Sequence, residues 1–143
     1  MPKFQATFGD ALLRGHRALL RDLQALQKAT QPRREGQPAE LAACLDRTRG
    51  DLAEHFRFEE ENGYLGAVLQ LHPHLARVVG RLAEEHGELL RSLDALRAEA
   101  RSAGAGDVPR EKVIRWIQRV RLHERRENIL VQDAFCLDLS AED

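Results

Sequence analysis

Aromatic, glycine and proline residues are sparse in this chain, and charge of neither sign prevails. Aromatics make up 5% of the 143 residues, and there are 10 glycines and 5 prolines, four of the prolines falling at breaks in the apolar pattern. Ala, Leu, Arg and Glu fill the remainder, a mixture that favours helix and gives little support to strands. The formal net charge is −1 with 31% charged residues. No basic excess therefore points to a nucleic acid or an anionic membrane as partner. The densest basic stretch, Arg119, Arg121, Arg125 and Arg126, is interrupted by Glu124 and Glu127 and reads as a solvated face. No apolar run approaches the ~20 residues needed to span a bilayer. The N-terminus lacks the basic segment and apolar core of a secretory signal. The two cysteines, Cys44 and Cys136, have no CxxC spacing. They are expected to be reduced, small core residues of a cytoplasmic protein.

What is present is a strong helical pattern. With 43% hydrophobic residues, the chain is long enough to form one domain, residues 1–143, around a real core. Three breaks divide it. Residues 30–38 (TQPRREGQP) carry two prolines and a glycine. His72-Pro73 is a sharp stop, because the residue before proline is pushed out of the helical region. Residues 102–109 (SAGAGDVP) are small, with Asp107 a suitable N-cap and Pro109 suited to a first helical turn. Helices are expected at about 8–29, 39–71, 73–102 and 109–135. Asn62-Gly63 is a place where the second can kink or end early. Each segment has an apolar stripe at helical spacing, starting from Phe8 and Leu12 in the first. Short connections between long helices make neighbours antiparallel, so the expected fold is all-α, an up-down-up-down four-helix bundle.

The stripes are interrupted by polar residues. His55 and Glu59, and again His123 and Glu127, are four apart and share a helix face. His16 and His86 occupy equivalent positions in the first and third segments. Counted from the loops at ~1.5 Å per residue, all six fall within roughly one or two turns of one mid-bundle level. Amphipathic packing alone does not require that agreement. A lone buried histidine is ordinarily a hydrogen-bonded core residue. A buried glutamate is different, because an unpaired carboxylate costs several kcal/mol unless it is paired, protonated or metal-bound.

Imidazole suits iron, zinc, copper and nickel, and carboxylate adds a hard anionic oxygen. Six donors exceed the four of a closed tetrahedral zinc site. Two glutamates and four histidines in a bundle core match a carboxylate-bridged dinuclear site, with two histidines per metal and Glu59 and Glu127 bridging. An oxo or hydroxo bridge would offset part of the remaining positive charge, and other positions would be open to water or a small ligand. His72 and His74 read as loop or helix-start residues. Glu60, Glu61, Glu85 and Glu124 are expected to face solvent or the helix seams, with orientation of the histidines as the functional alternative. Tyr64, Phe56, Trp116, Ile117 and Val120 are expected to pack as ordinary apolar walls.

The segments GHRALL around His16, EHFRFEEE around His55 and Glu59, LAEEHGELL around His86, and LHERRENIL around His123 and Glu127 together resemble the hemerythrin-like, HHE cation-binding family. The resemblance spans essentially the whole chain. It implies a non-heme di-iron centre with His16, His55, His86 and His123 as terminal ligands and Glu59 and Glu127 as bridges. It also implies dioxygen binding, sensing of oxygen or nitric oxide, iron handling or repair of damaged iron centres. Oxygen-carrying members have a further third-helix histidine where this chain has Leu82, and a longer spacing to an aspartate in the last motif. Those departures argue against reversible oxygen carriage. The expected function is a stand-alone iron protein engaging O2, nitric oxide or peroxide in sensing, redox defence or iron handling. The alternatives are a di-iron oxidase or peroxidase, an iron donor for repair, and a structural bundle with a vestigial or zinc-filled site.

Overall fold

In the computed structural model the backbone is described for residues 2–31, 37–61, 64–102 and 109–142, and the side chains for 14–31, 39–61, 65–102 and 109–134. Helix α1 runs Pro2–Ala29, α2 Gln37–Glu61, α3 Tyr64–Leu71, α4 Ala76–Ser102 and α5 Arg110–Glu142, with a 3-10 turn at Pro73–Leu75. The expected second helix is thus two, α2 and α3, divided at Asn62-Gly63. Those two residues, with Asp107 and the side chains of Phe8, Leu12, Tyr64 and Cys136, lie outside the described set. The fourth helix extends beyond residue 135, and the first begins before residue 8.

Packing follows the stripes. Helix α1 lies against α2 and α5, and α4 lies against α2 and α5, closing a ring of four arms in up-down-up-down order. The short α3 continues the second arm and touches α2, α4 and α5. At the break, His72 accepts a hydrogen bond from the Leu75 amide at 3.0 Å, and Pro73 opens the 3-10 turn at the position where a missing N–H is harmless. Pro109 plays a similar part before α5, where its carbonyl accepts from the Val113 amide at 3.0 Å.

Two apolar clusters fill the interior. The larger, toward the end of α1, the start of α2, the end of α4 and the start of α5, includes Leu23, Leu26, Leu41, Leu45, Leu52, Phe56, Leu93, Trp116 and Val120. The smaller, at the opposite end, comprises Leu65, Val68, Val79, Leu82, Leu130 and Ala134. Trp116 donates its indole N–H to the Leu89 carbonyl at 3.0 Å, so the one tryptophan is buried without an orphaned donor. Cys44 is a free, buried thiol whose pKa burial raises. On the surface, Arg49, Asp94, Arg97 and Asp46 link α2 to α4 through contacts of 2.8–3.0 Å. Exposed pairs of this kind add little individually. No described helix is long and apolar enough to cross a membrane.

Candidate metal centre

Between the two apolar clusters lies a polar layer, and the six stripe residues named from the sequence all fall in it. Helix α1 supplies His16, α2 supplies His55 and Glu59, α4 supplies His86, and α5 supplies His123 and Glu127. Glu59 and Glu127 are fully buried, and His55, His86 and His123 are nearly so. The rings pair across helices: His16 and His55 centroids are 5.0 Å apart, and His86 and His123 centroids 4.9 Å apart. Phe56 sits among them, stacked on His86 at 3.8 Å with an interplanar angle of 6°.

Among the described residues three donor groups emerge, each with its ligand atoms within 4.8 Å of one another: His16, His55 and Glu124; His86, His123 and Glu127; and Glu59, Glu124 and Glu127. The third joins the other two. His55 Nε2 lies 3.0 Å from Glu59, and His86 Nε2 lies 3.2 Å from Glu127, which also contacts His123. Most inward atoms form no hydrogen bond of acceptable geometry. The Nε2 atoms of His16, His55 and His123, both oxygens of Glu59 and both oxygens of Glu124 are buried without a hydrogen-bond partner. So many unsatisfied donors and acceptors in one place would be costly in a merely structural core. Lone pairs converging on shared space are what a cation requires. The donor set therefore fits a bound metal cation.

Outer partners differ among the rings. His86 Nδ1 is 3.1 Å from Glu60, and His123 Nδ1 is 3.1 Å from Glu85, which also accepts from Arg126 at 3.2 Å. Such carboxylates fix ring orientation and raise ligand basicity. His55 Nδ1 has no hydrogen-bond partner. It packs against Gly15, where a Cβ would stand 2.7 Å away, so glycine is what lets α1 approach this ring.

Electrostatics also divide the layer. Burial disfavours charge on His55, but Glu124 and Glu59 outweigh it and hold its pKa at about 9. Burial likewise disfavours the Glu124 carboxylate, yet His16 and His55 pull it down to about 2. Burial raises the pKa of Glu59. Burial and the neighbouring His123 lower that of His86 to about 3, leaving a neutral imidazole.

Glu124 is the main correction to the sequence reading. It was expected on solvent or a seam, and instead it points inward, 3.0 Å from His16 and 3.4 Å from His55. Its signal was available: Val120, His123, Glu124 and Glu127 form an i, i+3, i+4, i+7 face. Glu60 and Glu85 take the orienting role held open for them, while Glu61 is exposed. His72 contacts the Ala134 carbonyl at 2.9 Å and belongs to the helix break. A cavity of about 230 Å³ at the α1–α5 seam reaches His16 and Glu124 past Leu19 and Leu23.

A four-arm helical bundle with a buried layer of imidazoles and carboxylates defines a class, the cation-binding helical bundles. The family model for the hemerythrin HHE cation binding domain matches residues 7–134. The chain belongs to that family, and its domain is one that binds metal cations. The chain matches none of the curated proteins and none of the solved structures with which it was compared.

Proposed function

We propose that this protein holds two iron ions in the mid-bundle layer and engages a small ligand there: dioxygen, nitric oxide or peroxide. The observation that carries the reading is the convergence of buried, unsatisfied imidazole and carboxylate atoms in two linked groups. His16 and His55 would hold one ion and His86 and His123 the other, with Glu59 and Glu127 between them. Bound iron supplies a reversible one-electron change and coordination positions for the ligand.

The chain's own residues do the rest. Glu60 and Glu85 orient His86 and His123 and keep their Nε2 atoms turned inward. Phe56 excludes water from the His86 ring face, and the cavity at the α1–α5 seam gives a small molecule a way in. Sensing, redox defence and iron handling all draw on this chemistry. A second reading, oxidase or peroxidase activity, is favoured by Glu85, a partly exposed carboxylate 3.1 Å from His123 Nδ1, which can pass a proton between solvent and the site.

The test is anaerobic reconstitution with Fe(II), metal analysis, and absorption spectra recorded before and after O2 and then nitric oxide. Two irons per chain with bands that respond to either gas are expected. A purified protein that takes up no stoichiometric transition metal would sink the proposal. Peroxide consumption over many turnovers without loss of iron would select the second reading.

A further inference from the structure

The two halves of the polar layer do not offer the same number of donors. We propose, building on the dinuclear reading above, that Glu124 is a third terminal ligand of the ion held by His16 and His55, so that the two metal positions are unequal. One then has two imidazoles and a terminal carboxylate, and the other has two imidazoles, with Glu59 and Glu127 between them.

The geometry of Glu124 carries this. Its Oε2 lies 3.0 Å from His16 Nε2 and its Oε1 lies 3.4 Å from His55 Nε2. These are charge contacts between largely buried groups, and the ligand atoms of all three side chains lie within 4.8 Å of one another. Three side chains that converge in this way from α1, α2 and α5 are aimed at a common point. Helix α5 straddles the layer, sending His123 to one position and its neighbour Glu124 to the other. Two imidazoles and one carboxylate form a donor set well suited to Fe(II).

Among the described residues the other half has no inward carboxylate beyond Glu127, which contacts His86 and His123 and is already counted between the ions. Its nearby carboxylates, Glu60 and Glu85, are engaged by the outer nitrogens of His86 and His123. Leu82, one turn before His86, is buried and has no donor to give. Free coordination is therefore greater at the His86–His123 ion, and the His16–His55–Glu124 position binds metal more tightly.

Titration of the metal-free full chain with Fe(II) under anaerobic conditions tests the inference, with Co(II) absorption reporting the donor set. The wild type is expected to take up two ions in separate steps. Glu124→Gln should weaken the tighter step by more than about tenfold and leave the other. It should add nothing to the loss caused by His16→Ala, and should remove the remaining ion when combined with His86→Ala. Exposed Glu61→Gln serves as the control that keeps both ions, and far-UV circular dichroism verifies the helices. Two ions bound with unchanged affinity by Glu124→Gln would overturn this inference alone, as would non-additivity with His86→Ala instead. A wild type that binds no metal overturns this inference and the function proposed above.

Discussion

The His16–His55 half and the His86–His123 half of the polar layer use the same side-chain types in opposite ways. In the second half, carboxylates stand behind the rings: Glu60 and Glu85 fix the outer nitrogens, and His86 is neutral and stacked on Phe56. In the first half the added carboxylate stands in front: beyond Glu59 and Glu127, which face inner nitrogens in both halves, Glu124 faces those of His16 and His55, while His55 has a glycine at its back. Solvent access differs too. His16 and Glu124 side chains are 15% and 13% exposed, against 3% and 2% for His86 and His123. One half is preorganised by hydrogen bonds and the other by charge. A carboxylate thus tunes a histidine from either side, and which side decides whether it is available to a cation.

The largest expected effect comes from emptying both halves together. At free metal ~1,000-fold above Kd, a bound ion stabilises the fold by about 4 kcal/mol. Chelation should therefore lower the melting temperature by more than ~10 °C, as calorimetry with and without chelator will show. A melting point unchanged by chelator would mean the layer stabilises itself without metal.

Next in size is a change of sign at Glu59. Fully buried, with a pKa raised by burial, it burdens the metal-free protein. Because His55 keeps Glu124 as a partner, Glu59→Leu should stabilise that form by ~1–3 kcal/mol, the desolvation cost of an unsatisfied buried polar group, while abolishing the gain on adding metal. Parallel denaturant titrations with and without Fe(II) measure both. A variant less stable in both forms would place the value of Glu59 in packing.

Two glycines give a finer comparison. A methyl at residue 15 meets the His55 ring, whereas at residue 87 it meets only the flexible end of Arg91 at 3.0 Å. Gly15→Ala should weaken metal binding in the first half by ~10–100-fold, as disturbing the support of a ligand does. Gly87→Ala should stabilise the helix by ~0.5–1 kcal/mol without affecting metal. Equal effects from the two would show that helix propensity, and not the His55 contact, explains residue 15.

The smallest prediction removes a background that would blur the others. Asp22 on α1 is buried and shares a hydrogen bond with Asp51 of α2; burial first, and then Asp51, raise its pKa from 3.8 to about 7. The folded state therefore holds a proton that the unfolded chain has lost. That contribution to stability is full below pH ~4, declines as pH rises to about 7, and has gone above it. Asp22→Asn should flatten the decline in the metal-free protein, a slope of no more than ~1.4 kcal/mol per pH unit. An unchanged slope in urea melts from pH 4 to 8 would rule out Asp22 as its source.

Much of this was legible in the residues because burial and periodicity agree. His55, Glu59, His123 and Glu127 interrupt stripes of Leu and Val at helical spacing, and such interruptions survive in sequence only where something compensates them. The end of α2 at Glu61 and the start of α3 at Tyr64 bracket Asn62-Gly63, the place where the sequence allowed a kink or an early end. Glu124 was obscured by its neighbours. Flanked by Arg119, Arg121, Arg125 and Arg126, it looked like part of a solvated face. Only the width of the bundle interior lets adjacent residues 123 and 124 both face inward. The roles of Glu60 and Glu85 depend on which ring nitrogen turns outward, and spacing along one helix does not encode that.

The polar layer also separates the larger apolar cluster from the smaller one. A core interrupted in this way is two cooperative units joined by the chemistry between them. Without cations the layer no longer ties the two clusters together, and amides around Leu65, Val68, Val79 and Leu130 should exchange independently of those around Leu45 and Leu93. With cations bound, the layer becomes a rivet through all four arms, and exchange at the two ends converges. The centre then sets not only what the protein binds but how many pieces it unfolds in.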